Sequence, residues 1–168
     1  MSERVFLGLG ANLGDRRENL RGALRLLARE CEIVAVSSLY ESVAVVPEGR
    51  PPGPRYYNAA CEISTELEPQ DLLRFVKEIE REIGRRPAER WAPRPIDIDI
   101  LLYGSRIIDE PGLVVPHPLL AERAFVLAPL GDIAADVPHP TLGRTIGELA
   151  QGIEIAGQRY VEDYEWVD

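Results

Sequence analysis

Apolar residues near the start of the chain follow first a strand pattern and then a helix pattern. The run from Val5 to Leu9 ends at glycines and predicts a short buried strand followed by a tight turn. Asp15, with Glu18 three residues later, matches a capping box and predicts the start of a helix. The apolar residues that follow at helical spacing predict a buried stripe made of Leu20, Ala23, Leu24 and Leu27.

Two segments rich in β-branched and aromatic residues come next. Residues 33–46 and residues 56–63 each predict one strand. Between them, residues 47–54 hold four prolines and two glycines and cannot pair in a sheet. Long connections in compact domains are usually functional or disordered. Residues 47–54, the Pro-rich loop, are therefore a candidate lid over a site, with a floppy surface loop as the alternative.

A second helix and a fourth strand complete the regular part of the pattern. The helix is predicted to begin at residues 68–71, to end at Gly84, and to bury Leu72, Phe75, Val76, Ile79 and Ile83. Residues 96–103 predict the strand. The order strand, helix, strand, strand, helix, strand predicts an α+β fold of the ferredoxin-like βαββαβ type. Such an antiparallel sheet carries both helices on one face and leaves the other for added elements or a ligand.

The C-terminal third is less regular and is expected to add elements to the same sheet. It predicts a short strand at 106–108, a short helix over 123–130 that Pro129 ends or kinks, and a helix over 141–153. The acidic and aromatic segment 160–168 predicts no clear element. We expect one domain covering residues 1–168.

Composition and charge narrow the functional classes. The chain has 168 residues, 45% of them hydrophobic and 28% charged, which is ordinary for a globular domain. Its net charge of −9 argues against general binding to nucleic acid or to an anionic membrane. Cys31 and Cys61 lack metal-ligand or redox spacing and are interpreted as small core residues of a reduced chain. No segment reads as a membrane span or signal peptide, so we expect a cytoplasmic protein.

Two aspartates alternate with isoleucines in the fourth predicted strand. Side chains of a strand alternate between its faces, so Asp97 and Asp99 should share one face, roughly 6–7 Å apart, with Ile96, Ile98 and Ile100 behind them. Neighbouring carboxylates repel unless a cation lies between them. Oxygen ligands at this spacing suit Mg²⁺, and such a pair can clamp two ions. A solvated acidic face is the alternative.

Arginines crowd the segment before this strand and supply the opposite charge. Arg85, Arg86, Arg90 and Arg94 lie within ten residues of one another. Dense arginine beside paired aspartates is typical of a site for a polyphosphate and its metal ions. A salt-bridged surface loop is the alternative.

Three other kinds of site are considered. Gly8 and Gly10 lack the third glycine and the later acidic residue of a dinucleotide-binding fingerprint. A non-catalytic RNA-binding module would fit the sheet but not the acidic charge. A two-metal nuclease or another nucleotidyltransferase would use the paired aspartates differently. The RNA-binding module and the two-metal nuclease or nucleotidyltransferase remain alternative hypotheses for the function.

Five sequence blocks resemble the 6-hydroxymethyl-7,8-dihydropterin pyrophosphokinase family of folate biosynthesis, in the family's order. The most specific is Arg90-Trp91-Ala92-Pro93-Arg94 joined to Asp97-Ile98-Asp99-Ile100-Leu101, although the family usually has glycine at Ala92. The other blocks are residues 7–15, 56–60, 79–85 and 115–125.

The resemblance implies transfer of a pyrophosphoryl group from ATP to the pterin's hydroxymethyl oxygen, with two Mg²⁺ ions held by Asp97 and Asp99. Asp99 is also a candidate proton acceptor. The catalytic residues implied are Arg85, Arg94, Asp97 and Asp99. The ATP-binding residues implied are Lys77, Glu80, Arg85, Arg86, Trp91, Arg94, Ile100, His117 and Arg123.

His117 shows how much depends on the resemblance. It lies between two prolines, and the same tripeptide recurs at residues 138–140, so the residues alone favour a structural role. For the pterin, the resemblance implies stacking by Tyr56 and Phe125, edge recognition by Asn58, and contacts from Ser42, Val45 and Trp91. It implies small-molecule substrates, no nucleic-acid or membrane partner, and a monomer.

Overall fold

The computed structural model describes residues 3–44, 46–51, 53–85, 92–152, 158–162 and 164–167. The strands are β1 (Glu3–Ala11), β2 (Glu32–Val36), β3 (Leu39–Ser42), β4 (Tyr56–Thr65), β5 (Asp97–Tyr103), β6 (Ile108–Glu110), β7 (Leu113–Val115) and β8 (Gln158–Glu162). The α-helices are α1 (Arg16–Leu27), α2 (Pro69–Ile83), α3 (Ala124–Ala134) and α4 (Ile146–Gln151). Residues 120–122 and 164–167 form short 3₁₀ turns.

The main sheet has the strand order β5-β1-β4-β3-β8, and β2 pairs with β4 as well. β1 runs antiparallel to both β4 and β5, so the strand that begins the chain lies at the centre. This is the ferredoxin-like arrangement that the sequence predicts, with β8 added at one edge. The fold prediction is confirmed.

The prediction of a single strand over 33–46 is wrong. The structure has two short strands, β2 and β3, which both pair with β4. They separate at Ser37, whose hydroxyl accepts a hydrogen bond from the Ala60 N–H at 2.8 Å. A side-chain oxygen thus takes the place of a backbone acceptor, and the strand breaks there.

Helices α1 and α2 pack on one face of the sheet and bury the predicted stripe of α1 and most of that of α2, in which Phe75 and Ile83 are only partly buried. Leu20, Ala23, Leu24 and Leu27 of α1 are buried, and α2 begins at Pro69 and is capped by Gly84. Asp15 caps α1 by accepting the Glu18 N–H at 3.1 Å. The isoleucines of β5 belong to the same core as the two helices. Apart from the break between β2 and β3, the regular half of the sequence therefore folds as its periodicity indicates.

Helices α3 and α4 cover part of the opposite face. A second core forms there from Phe6, Ala60, Leu102, Leu127 and Leu130, among others. The part of this face that carries Asp97 and Asp99 forms the wall of a cavity, which α3 also lines through Phe125 and Val126. No helix in the described part of the chain has both the length and the apolar character needed to cross a bilayer.

The structure corrects or sharpens four C-terminal predictions. Helix α3 continues through Pro129, which is buried inside it, and ends at Ala134. The helix predicted over 141–153 is the shorter α4, because Thr145 and Glu148 form a capping box that fixes a later start. The acidic tail forms β8 and a turn that buries Trp166 completely, with its Nε1–H donated to the Ser37 carbonyl at 2.9 Å. The predicted short strand at 106–108 is β6, shifted to Ile108–Glu110.

Candidate active site

Asp97 and Asp99 project from one face of β5 into the cavity, as the alternation predicts. Their direct neighbours across the ladder are glycines, because Gly10 pairs with Asp97 and Gly8 pairs with Asp99. A Cβ at Gly10 would lie 3.4 Å from the Tyr56 ring, and one at Gly8 would lie 3.4 Å from the Leu101 side chain. The absence of side chains on this part of β1 leaves an open floor beside the two carboxylates.

A β-bulge in β5 ends the alternation just beyond the carboxylates. Leu7 pairs with Ile100 and Phe6 pairs with Leu102, so Leu101 is an extra residue. Leu101 lines the cavity, whereas Leu102 is part of the core under α3. The bulge places two consecutive leucines on the cavity side of the sheet. It therefore allows the same strand to build the floor of the site and to anchor α3.

Arg85 and Arg94 approach the first carboxylate from the two ends of the connection between α2 and β5. Asp97 Oδ1 accepts a hydrogen bond from Arg85 Nη1 at 3.0 Å and one from Arg94 Nη1 at 3.4 Å. Arg85 follows Gly84, whose φ of +127° ends α2 in a conformation that favours glycine. The paired acids and two of the predicted arginines therefore come together.

Glu80 lies underneath the cavity and organises these charges. It is only 2% exposed. Its Oε2 accepts hydrogen bonds from Arg85 Nη1 and from the Ile98 backbone N–H, both at 2.8 Å, and Lys77 Nζ lies 3.5 Å from its Oε1. Glu80 thus links α2, β5 and the loop that carries Arg85, and it holds the arginine in place from below.

Asp99 has the most perturbed acidity in the site. Burial and the nearby charges of Asp97 and Glu80 raise the pKa of Asp99 to about 7, although Lys77 and Arg123 oppose this rise. Burial deprives the charged form of Asp99 of solvent, and the two neighbouring carboxylates add repulsion. Binding of a cation next to Asp99 would favour its charged form.

The cavity has a volume of ≈ 380 Å³, and its lining contains two chemically different sets of residues, which we call the charged half and the neutral half. The charged half contains Lys77, Arg85, Arg94, Asp97, Asp99, His117 and Arg123. The neutral half contains Ser42, Val43, Ala44, Tyr56, Asn58, Phe125 and Val126. Both halves share the glycines of β1 as their floor.

The neutral half presents an aromatic ring beside an oriented amide. Asn58 is buried, and its Nδ2 donates to the Ser42 hydroxyl at 2.7 Å. This bond fixes the direction of the amide, whose oxygen lies near the floor at Gly10. Phe125 is partly buried and carries the Arg123 guanidinium 5.4 Å from its ring centre. Such a pocket can sandwich a flat heteroaromatic ring and read its edge.

His117 and His139 make the same local contact in different surroundings. In each Pro-His-Pro run, the imidazole Nδ1 accepts the backbone N–H two residues later, at 3.2 Å. The proton of the neutral ring is therefore on Nε2. Burial lowers the pKa of both, and Arg123 lowers the pKa of His117 further. Only His117 of the two lines the cavity, where its Nε2–H can donate to an anion.

Sequence reasoning missed Asn12, which lines the cavity and is 4% exposed. The Asn12 Oδ1 accepts a hydrogen bond from the Arg94 backbone N–H at 2.7 Å, and the Asn12 backbone N–H donates one to the Arg94 carbonyl at 3.0 Å. Its Nδ2 donates to the Pro54 carbonyl at 3.1 Å. One amide thus ties the end of β1 to the arginine segment and to the Pro-rich loop. The sequence feature that could have identified Asn12 is a polar residue directly after a predicted buried strand.

Some predicted site residues lie elsewhere. The Ile100 side chain is 5% exposed and packs in the core behind β5, so only its backbone faces the ladder beside the cavity. Glu80 lies behind Arg85 and does not line the cavity. The predictions for Val45, Arg86 and Trp91 lie outside the described residues.

The metal-ligand prediction rests on the aspartate pair alone. The described residues contain no group of three or more His, Cys, Asp or Glu side chains placed to hold a metal. Two carboxylates fit Mg²⁺ nonetheless, because this ion usually binds to one or two carboxylates together with water and substrate phosphates. The raised pKa of Asp99 agrees with a site that is incomplete without a cation.

Comparison with known proteins places the chain in a family. Residues 6–135 match the family model described as 7,8-dihydro-6-hydroxymethylpterin-pyrophosphokinase (HPPK). The chain belongs to this family. It is 43% identical over 159 residues to the 2-amino-4-hydroxy-6-hydroxymethyldihydropteridine pyrophosphokinase of Pseudomonas aeruginosa, covering 94% of this chain and 96% of that one. The family resemblance seen in the sequence is confirmed.

Other members of the HPPK family are parts of longer proteins. The chain is 42% identical over 153 residues to the folic acid synthesis protein FOL1 of Dictyostelium discoideum, of which it covers 23%. Wild-type HPPK-DHPS of Plasmodium falciparum superposes with a TM-score of 0.72 at 18% identity, covering 90% of this chain and 44% of that one. The structural likeness supports the HPPK fold.

Proposed function

We propose that this chain transfers the pyrophosphoryl group of ATP to the hydroxymethyl group of 6-hydroxymethyl-7,8-dihydropterin, giving the pterin diphosphate and AMP for folate biosynthesis. The observation that carries the proposal is one cavity lined by two different sets of residues. One set suits a flat ring with polar edges, and the other suits a polyphosphate. The reaction joins these two chemical groups.

The paired aspartates would hold the magnesium. Asp97 and Asp99 share a face above the glycine floor, and phosphate oxygens of ATP would complete the coordination of two Mg²⁺ ions. When bound, magnesium neutralises charge that develops on the phosphates and lowers the pKa of a bound hydroxyl. Asp99 is the proposed acceptor of the pterin's hydroxyl proton, because its carboxylate lines the cavity in which that hydroxyl would be bound.

The cationic side chains would bind and orient the triphosphate. Pyrophosphoryl transfer needs in-line geometry and charge neutralisation more than covalent help. Arg85 and Arg94 now share Asp97 Oδ1, within reach of any phosphate that is bound beside that carboxylate. Lys77 and Arg123 belong to the same half, and His117 presents its Nε2–H there. We propose that Arg85 and Arg94 exchange their contacts with Asp97 for contacts with phosphate when ATP binds.

The neutral half would hold the pterin. Tyr56 and Phe125 would stack on the ring, while the Asn58 oxygen and its second N–H would bond the ring's edge. Ser42 holds the amide in the orientation that this recognition needs. Val45, Arg86 and Trp91 are proposed as further contacts on the family resemblance alone. Exclusion of water from the closed site would prevent wasteful hydrolysis of ATP.

An acceptor-dependence assay tests the proposal. The purified protein is incubated with ATP and Mg²⁺, with and without 6-hydroxymethyl-7,8-dihydropterin, and AMP is measured. We expect AMP to form only when the pterin is present, together with one equivalent of pterin diphosphate. An RNA-binding module would form no AMP. A nuclease or another nucleotidyltransferase would act independently of the pterin, and that result would overturn the proposal.

A further inference from the structure

An arginine on the far side of the sheet contacts three structural elements at once. Arg16 is the first residue of α1. Its Nη1 donates to Glu41 Oε2 at 3.1 Å and to the Arg55 carbonyl at 2.9 Å. Its guanidinium carbon lies 3.7 Å from the centre of the Tyr57 ring. The contacts connect α1 with β3, with β4 and with the chain that leaves the Pro-rich loop.

The position of this arginine is unfavourable for the helix itself. A positive charge in the first turn of an α-helix is repelled by the partial positive charge of the helix N-terminus. Arg16 is therefore not explained by the stability of α1. Glu41 is 7% exposed, and a carboxylate at that depth requires a partner. The pair is best explained by what it does for the strands on which it lies.

Glu41 and Tyr57 lie directly behind two residues of the cavity. Glu41 pairs with Tyr57 across the ladder, and the adjacent pair is Ser42 with Tyr56. Neighbouring residues in a strand point to opposite faces, so the cross-strand pair that Arg16 contacts backs the pair that lines the neutral half. A shift of β3 against β4 would move Ser42, and with it the Asn58 amide that Ser42 orients.

The third contact fixes the start of β4. The Arg55 carbonyl is the last acceptor before Tyr56, at the point where the Pro-rich loop enters the sheet. A loop containing four prolines makes few backbone hydrogen bonds of its own. Its junction with the strand therefore depends on side-chain donors, and Arg16 supplies one.

We propose that Arg16 is a positioning residue for the pterin, which holds β3, β4 and the end of the Pro-rich loop in register so that Tyr56, Ser42 and Asn58 form a ready-made half-site. This inference rests on the proposed function and assigns to it a residue that touches neither substrate. It concerns one half of the cavity only. The charged half is built by α2, β5 and the loops beside them. The three Arg16 contacts given above, with Glu41, Arg55 and Tyr57, involve none of these elements.

The test is a split between kinetic constants. Arg16→Met keeps much of the apolar stem but removes the donors and the charge. We expect the KM for the pterin to rise about tenfold, while the KM for ATP and kcat at saturating pterin stay within about twofold. Binding of the oxidised analogue 6-hydroxymethylpterin, measured by calorimetry in the presence of a non-hydrolysable ATP analogue and Mg²⁺, should weaken by the same factor.

The chain offers a matched control, a second arginine that pairs with a buried glutamate of the same sheet. Arg4 forms two hydrogen bonds with Glu62, from Nε at 3.0 Å and from Nη2 at 3.2 Å, and Glu62 is 6% exposed. Both arginine–glutamate pairs involve β4 or its neighbours, but the Arg4 pair lies at the opposite end of β4. Arg4→Met should lower the melting temperature about as much as Arg16→Met and leave the pterin KM unchanged.

Two further outcomes decide between positioning and general stability. Arg16→Lys keeps the charge but loses the planar group that stacks on Tyr57 and reaches two acceptors, so it should restore only part of the pterin affinity. If Arg4→Met and Arg16→Met raise the pterin KM equally, or if Arg16→Met raises the KM for ATP as much as that for the pterin, the inference is wrong. If the wild-type protein forms no pterin-dependent AMP, the proposed function fails instead.

Discussion

The two halves of the cavity differ in how well the folded protein stabilises their polar and charged groups. In the neutral half, the buried amide of Asn58 has a hydrogen-bond partner. The contacts of Arg16 with Glu41 support strand β3 from the other face of the sheet. In the charged half, burial and the nearby charges of Asp97 and Glu80 raise the pKa of Asp99 to about 7, although Lys77 and Arg123 oppose this rise. The amide of the neutral half is therefore partnered, whereas the charged half keeps a buried carboxylate among other carboxylates.

We relate this difference to the two proposed roles of the cavity: the neutral half recognises the pterin, and the charged half supports pyrophosphoryl transfer. A site that recognises a neutral ring gains from rigidity, because preformed contacts cost less to order upon binding. A site that stabilises charge in a transition state needs groups held in an arrangement that the folded protein alone would not favour. Substitutions in the charged half should therefore affect rate, and substitutions in the neutral half should affect the affinity for the pterin.

The largest effect is expected at the paired aspartates. Asp97→Ala and Asp99→Ala should each lower kcat roughly 10³-fold, because each would remove a ligand of ions that stabilise several kcal/mol of charge. Turnover is measured at saturating ATP and pterin over a range of Mg²⁺ concentrations. Asp109→Ala, at an exposed position of β6, is the control and should behave as wild type. Near-normal kcat of either variant at saturating Mg²⁺ would contradict the metal assignment.

The arginines should come next. Arg85→Ala and Arg94→Ala should each lower kcat about 10²-fold, since each removes a donor aimed at the phosphates, with a smaller effect on the KM for ATP. Steady-state kinetics with each substrate varied in turn would measure this. Arg29→Ala removes an exposed arginine that pairs with Glu82 far from the cavity, and serves as the control. A change confined to the KM for ATP would show that these arginines only bind the nucleotide.

The neutral half should give a smaller and different effect. Asn58→Ala removes the amide that reads the ring's edge, and should raise the KM for the pterin about tenfold while kcat at saturating pterin changes little. Ser64→Ala, a small polar residue towards the other end of β4, is the control. If Asn58→Ala lowered kcat as strongly as the arginine variants, the division of the cavity into two halves would be wrong.

Local periodicity was sufficient for the parts of this site that lie on regular elements. The alternation of Asp97 and Asp99 with isoleucines placed both carboxylates on one face, and the helical spacing identified the buried stripes of α1 and α2. The order of elements then brought β1, β4 and β5 together. In each case the side chain's direction follows from the period of the element.

Features set by tertiary contacts could not be predicted in this way. The bulge at Leu101 has no local signal, since the strand's sequence remains apolar on both sides of it. The tail forms an edge strand only because β3 is available to pair with it, and Trp166 finds its partner at Ser37, far away in the sequence. Asn12 acquires its role from two loops that meet it in space. Long-range pairing decides all three.

The smallest expected effect concerns stability, and it tests the charged half without any substrate. The raised pKa of Asp99 means that the folded protein holds a proton between about pH 4 and pH 7 that the unfolded chain releases. The free energy of unfolding should therefore fall as pH rises through this window and become level above it. Asp99→Asn removes this dependence. At pH 8, in the presence of EDTA, it should melt several degrees above wild type.

Melting curves of wild type and Asp99→Asn at pH 5, 6, 7 and 8 measure the difference between the two, which cancels contributions from other groups such as His117. Asp109→Asn, at an exposed site, should give a curve parallel to wild type throughout. Adding Mg²⁺ at pH 8 should stabilise wild type and have less effect on Asp99→Asn, because the cation relieves the repulsion that the substitution has already removed. Parallel curves for wild type and Asp99→Asn would mean that the crowding of carboxylates has no cost to the fold, and the contrast between the two halves would then have no basis in stability.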